Sequence, residues 1–198
     1  MKKYLLYTLI LFVIAPPCYA PDASAAAWEL KKKLLKERNV PENRAFLDMI
    51  AFAEGTYYAR AQGYKMRYPT GTTFASFDAH PALVICARSR NKQLCSTAAG
   101  RYMFLESTWN KAAPRLELAD FSPLNQDLAA LLLIYERHAL DDIKKGDLKN
   151  AISKVKTIWS SLPGAPYRQP IIRYDALRNM FDKRTHHYRK YLKGKEWA

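Results

Sequence analysis

The chain of 198 residues carries 32 Lys and Arg against 18 Asp and Glu, a formal net charge of +14, with three cysteines. Its length allows one domain with a sizeable core, and no repeat, low-complexity linker or second domain is legible. The charge favours a polyanionic partner: nucleic acid, a membrane surface or the carboxylate-bearing bacterial wall.

The N-terminus reads as an export signal. Lys2-Lys3 precede an apolar stretch from Tyr4 to Ala15, followed by Pro16-Pro17-Cys18-Tyr19-Ala20. Twelve apolar residues are too few for a comfortable membrane span, and the pattern fits a secretory signal peptide. Cleavage after Ala20 would leave Pro21 next to the cut, which is unfavourable; Ala23-Ser24-Ala25 offers a slightly better site, after Ala25. The expected organisation is a signal over 1–25 and one domain over 26–198, with the mature protein in the periplasm or outside the cell. It is expected to be a monomer with no stable membrane span after processing. An uncleaved anchor is the main alternative. Cys18 has no lipobox around it, so lipidation is not expected. Export favours the cell wall over specific nucleic acid as partner.

Residues 24–38 form a Lys-rich amphipathic pattern, a peripheral helix. Asn39-Val40-Pro41 breaks it, with Pro41 suited to a first helical turn. Residues 45–56 are apolar almost all the way round, the signature of a helix buried on every side. That helix ends in Glu54-Gly55, and a Gly just past a helix is the common left-handed stop. Desolvation and the helix C-terminus both disfavour a charged carboxylate here. A glutamic acid that holds its proton near neutrality is what a general acid needs, although most glutamates after an apolar run are solvated helix ends. Asp48 lies six residues earlier, roughly 120° away around the helix, and reads as an exposed or capping residue.

From Thr56 to Ala98 the helical period is lost. Gly63, Pro69, Gly71 and Pro81 punctuate the segment, and Thr72-Thr73-Phe74 and Leu83-Val84-Ile85-Cys86 look like short strands. Tyr57, Tyr58, Tyr64 and Tyr68 are either sugar-stacking platforms or a loop packed on itself. Cys86 and Cys95 flank a hairpin tip. In an oxidising compartment a disulfide is the preferred reading over two free thiols, worth ~2.7 kcal/mol by the chain-entropy model. A Cys nucleophile has no nearby base, and His80, His138, His186 and His187 show no metal-ligand spacing with these cysteines, so no metal is expected.

Ser96-Thr97-Ala98-Ala99-Gly100-Arg101-Tyr102 joins the hairpin to a helical half. Its small residues allow close approach of a ligand, but it also reads as an ordinary strand-to-helix turn. Ser122-Pro123 suits the start of a helix over 124–138. Asp147 caps a helix running to Ser161; Leu162-Pro163-Gly164-Ala165-Pro166 is a rigid loop; a last helix spans about 170–191. Trp109 and Trp159 are placed for packing rather than for stacking on sugar. The stretch after Ala165 holds nine Lys or Arg and three acids. It reads as a solvated charged face, with a nucleic-acid grip, helped by Tyr188 and Tyr191, as the alternative. The class is α+β, mainly α, with a small β-hairpin sheet beside a helical bundle.

Several motifs occur in one order: the Glu54 segment, Ser96–Tyr102, Asp120-Phe121-Ser122-Pro123 with Gln126-Asp127, Glu136-Arg137, Gly146-Asp147, and Ile158-Trp159-Ser160-Ser161-Leu162-Pro163-Gly164-Ala165 with Tyr167 and Gln169. Over roughly residues 44–182 the chain resembles the bacteriophage lambda endolysin family. The resemblance implies a lysozyme-like fold and a lytic transglycosylase acting on peptidoglycan glycan strands without a cofactor. It puts the catalytic acid on Glu54 and substrate contacts on Tyr57, Ser96, Thr97, Gly100, Tyr102, Tyr167 and Gln169. The chain departs from the family pattern at Met103, where a Gln is common, at Pro166 and Arg168 in place of glycines, and at His138. Hydrolysis usually needs two carboxylates. Asp78 is the only second acid to name, and it reads as structural. A hydrolytic lysozyme, a non-catalytic wall-binding protein and a basic nucleic-acid binder remain as alternatives.

Overall fold

The computed structural model describes residues 23–195 apart from 90, 91 and 168. The signal-peptide reading of residues 1–22 and the departure at Arg168 lie outside the described residues. Helix α1 (Ala23–Arg38) leads into α2 (Pro41–Ala53), then a 3-10 segment over Tyr57–Lys65. Two separate two-stranded antiparallel sheets follow: β1 (Met66–Arg67) with β2 (Thr72–Thr73), and β3 (Ile85–Ser89) with β4 (Lys92–Ser96). The helical half comprises α3 (Glu106–Ala112), a 3-10 turn (Pro114–Leu116), α4 (Pro123–Glu136), α5 (Leu140–Lys145), α6 (Leu148–Val155) and α7 (Tyr174–Lys195).

Helix α2 forms as its residues dictate. Pro41 sits in the first turn, and the helix buries Phe46, Leu47, Met49 and Ile50. Glu54 closes it, its N–H donating to Ile50 O at 2.9 Å, and Gly55 takes φ +76°. Helix α4 contributes Leu128, Leu131, Leu132 and Ile134 to the core. Helix α1 packs on α4, and α7 lies along α2.

The β region is smaller than the sequence suggests. Leu83 and Val84 stay outside the strands and are exposed, and the hairpin begins at Ile85. Its register places Cys86 opposite Cys95, and the two are joined by a disulfide.

Helix boundaries also differ. Ser122 occupies the N-cap of α4, but its side chain makes no cap bond; Asp120 Oδ1 instead accepts from Ser122 N at 2.9 Å and Asn125 Nδ2 at 2.7 Å. Asp147 caps α6 as expected, accepting from Asn150 N, yet the helix ends at Val155 rather than Ser161. Ile158 N turns back to Val155 O, and this lets Trp159 enter the core and donate its indole N–H to Tyr102 O at 3.0 Å. Residues 170–173 stay outside the helix, with Ile172 N spent on Ser161 O, and α7 starts at Tyr174. Among the described residues no helix is long and apolar enough to cross a membrane.

Candidate active site

Glu54 is partly buried where α2 ends. Ser161 Oγ donates to Glu54 Oε1 at 2.6 Å. Burial pushes the Glu54 carboxyl up to about 7, and the Ser161 hydrogen bond pulls against that rise. Burial disfavours the anion, while a donor favours it, and burial dominates. The group is a carboxylic acid poised near neutrality.

The backbone around Glu54 is pinned from two sides. Thr56 is fully buried, and its hydroxyl lies 3.1 Å from Ala51 O and 2.6 Å from Arg101 O. This ties the end of α2 to the 96–102 turn. A Cβ on Gly63 would stand 2.5 Å from Thr56 O, so the 3-10 segment lies directly against the same point.

The 96–102 turn is held from behind by α4. Gln126 Oε1 accepts from Arg101 N at 2.8 Å, while its amide donates to Tyr64 O and Phe121 O. Asp127 Oδ1 accepts from the hydroxyls of Tyr102 at 2.6 Å and Tyr64 at 2.8 Å, and Arg38 pairs with Oδ2 at 2.7 Å. Burial raises the Tyr102 phenol far above its ordinary range, so it stays neutral.

The expected contact residues fall in different surroundings. Gly100 and Tyr102 are buried and face Gln126, Phe121 and Asp127, which hold the turn from behind. Ser96 and Thr97 are partly exposed but engaged locally, Ser96 Oγ accepting from Ala98 N and Thr97 Oγ1 from Glu106 N at the start of α3. Tyr167 is 48% exposed, with its hydroxyl on Thr157 O, and Gln169 Oε1 accepts from Ser160 Oγ. That loop is therefore fastened to the segment that delivers Ser161 to Glu54. Tyr57 follows Glu54 by three residues, edge-on to Tyr58 and beside the guanidiniums of Arg101 and Arg184. Asp78 is exposed in a loop anchored by Phe121 N on Phe77 O.

Asp48 is the clear correction. It is 7% exposed, not a surface or capping residue. Its Oδ1 accepts from Arg101 Nη2 at 2.8 Å, and its Oδ2 from Arg184 Nε at 2.6 Å and Tyr188 OH at 2.8 Å. Among the described residues no group of His, Cys, Asp and Glu is arranged to hold a metal.

The endolysin family model matches residues 44–187. The chain belongs to the endolysin family. It is 41% identical over 131 residues to the endolysin of Escherichia phage lambda, covering 65% of this chain and 81% of that one. To the endolysin of Escherichia phage P2 it is 42% identical over 139 residues, covering 63% and 81%. Among solved structures, bacteriophage lambda lysozyme complexed with a chitohexasaccharide matches with a TM-score of 0.67 at 38% identity, over 73% of this chain and 94% of that chain. A second structure of lysozyme from bacteriophage lambda matches with a TM-score of 0.59 at 34% identity, over 76% and 93%. The lysozyme-like, mainly helical fold expected from the motifs is thus the fold of this endolysin.

Sequence reasoning assigned no role to Ser161, although it lies within the Ile158–Ala165 motif. Nothing local marks it: only the turn after α6 brings it to Glu54 from 107 positions away.

Proposed function

We propose that this endolysin is an exported lytic transglycosylase that cleaves the β-1,4 bond from N-acetylmuramic acid to N-acetylglucosamine. The observation that carries the reading is Glu54, a buried-end carboxyl raised to about 7 and held by one neutral hydroxyl. Glu54 protonates the glycosidic oxygen as the bond to the anomeric carbon breaks. The resulting carboxylate then takes the proton of the muramyl 6-hydroxyl, whose oxygen closes on the same anomeric carbon. The product is a 1,6-anhydromuramyl end, Glu54 regains its proton, and no water enters. One carboxyl performs both transfers, and no cofactor is invoked.

The endolysin and lysozyme relatives support a wall-degrading enzyme, and the chitohexasaccharide in the lambda lysozyme complex supports binding of a glycan chain. Of the expected contact residues, Tyr57 follows Glu54 closely, and Tyr167 and Gln169 lie exposed on the loop fastened to the segment that carries Ser161. The protein acts as a monomer on wall strands, and its positive charge draws it to them. The deciding experiment is digestion of purified peptidoglycan in heavy-oxygen water with mass analysis of the products. Anhydromuramyl ends without label support the transglycosylase; labelled reducing ends identify a hydrolytic lysozyme instead.

A further inference from the structure

A hollow of about 490 Å³ lies between α2, the 3-10 segment, Arg101 of the 96–102 turn and α7, and Glu54 is not part of its lining. Its charged lining is Arg60, Arg101 and Arg184 against a single acid, Asp48. Both Asp48 oxygens are already occupied, by Arg101 on one side and by Arg184 and Tyr188 on the other. Three guanidiniums that do not deprotonate therefore face the hollow with one carboxylate among them. Two of the arginines are held in place: the Arg101 guanidinium lies 5.7 Å from the centre of the Tyr57 ring and 5.1 Å from that of Tyr64, and Arg184 lies 4.7 Å from that of Tyr188, while Arg60 is exposed at the rim. Fixed guanidinium forks with excess positive charge match carboxylates in a planar, two-pronged manner. The volume suits a small organic group more than a single ion.

We propose that this hollow binds a carboxylate of the peptide stem carried by the wall strand whose glycan is cut at Glu54. The inference rests on the reading of Glu54 as the wall-cleaving acid. Tyr57 and Tyr58 line the hollow, and Tyr58 packs edge-on against Phe52 in the last turn of α2, which sets the hollow next to the helix end that carries Glu54 and within reach of a peptide branching from a strand bound there.

The test uses the inactive Glu54→Gln protein and calorimetric titration with two ligands: a muramyl oligosaccharide bearing its peptides, and the same oligosaccharide stripped by an amidase. The peptide-bearing ligand should bind about tenfold more tightly, the value of one charge-assisted contact. Adding Arg60→Gln should remove most of that difference. Arg60 is exposed, and it is its backbone carbonyl that Arg101 approaches, so the substitution spares the Asp48 cluster. Lys36→Gln, the same charge change on the exposed face of α1, should leave the preference intact. Equal affinities for the two ligands, or an equal loss in the Lys36 variant, overturn the proposal. Failure of the wild-type protein to cut wall strands overturns the reading of Glu54 separately, because the titration measures binding alone.

Discussion

The Ser161 hydroxyl donates to Glu54 Oε1 at 2.6 Å, joining the loop before Pro163 to the residue that caps α2. A neutral donor here orients the carboxyl while only partly offsetting the effect of burial. Ser161→Ala should raise the Glu54 pKa further, since a donor that favours the anion is lost. Turnover should fall about tenfold, consistent with loss of one hydrogen bond to a charged group, and the alkaline limb of the pH–rate profile should move upward. An unmoved limb would mean that Ser161 serves only the loop.

Glu54→Gln should keep the fold and reduce wall clearing by ~10²–10⁴-fold, the range for general acid–base catalysis. Circular dichroism checks the first part and turbidity of wall suspensions the second. Near-parental clearing at equal concentration would remove Glu54 from the mechanism.

The same carboxyl predicts a stability trend. Its pKa is about 7 in the fold against an ordinary 4.5, so the folded state keeps a proton that the unfolded chain releases. Stability from this group is therefore fully present below about 4.5 and declines as pH rises toward 7. The melting temperature of Glu54→Gln relative to the parent should accordingly be higher at pH 8 than at pH 4. A pH-independent difference between the two proteins would contradict the raised pKa.

Asp48→Asn should destabilise strongly, by about 3–5 kcal/mol, because Arg101 and Arg184 would lose their shared anion in a buried setting. Chemical denaturation measures this. A loss below about 1 kcal/mol would show that water replaces the carboxylate without difficulty.

The contrast between Glu54 and Asp48 explains what the sequence could convey. An apolar run ended by Glu54-Gly55 has a local physical meaning, and the structure keeps it: buried helix, left-handed stop, raised carboxyl. The disulfide was legible for a similar reason, since nine positions and a hairpin leave Cys86 and Cys95 few other arrangements. Asp48 has no local signal, because its partners Arg101 and Arg184 stand 53 and 136 positions away. The surroundings of Tyr102 were not legible for a related reason. Its aromatic ring suits either a sugar face or a core, and only Asp127 on α4, which takes its hydroxyl, decides between them. Helix ends were missed where a distant backbone took the capping bond, as Ser161 O does for Ile172 N.

Gly100 sits where the 96–102 turn presses against α4 and Phe121. It adopts φ +78°, and a Cβ there would lie 2.4 Å from Gln126 Oε1 and 2.8 Å from Phe121 Cζ. Gly100→Ala should cost about 2–4 kcal/mol through strain and overpacking, and it should displace the Gln126 side chain from Arg101 N. A Gly100→Ala protein as stable as the parent would mean that Gln126 can move away freely.

Reduction of the Cys86–Cys95 bond should lower stability by at most ~2.7 kcal/mol, because the loop it closes is short. The hairpin packs little hydrophobic surface: Leu94 is 40% exposed, and Leu83 and Val84, just before it, are more so. Its loosening should therefore leave the core around α2 and α4 intact. Strand β4 runs straight into Ser96 and Thr97, however, and Thr97 Oγ1 secures the start of α3. Slack in the hairpin reaches the 96–102 turn before it reaches Glu54, which Ser161 also holds from the opposite side of the chain and whose neighbour Thr56 is bonded to Ala51 O within α2. A double Cys→Ser variant should thus raise KM for wall fragments by a few-fold while kcat changes less. Steady-state kinetics on soluble fragments separates the two. An unchanged KM with an abolished kcat would show that the hairpin acts on the chemical step instead.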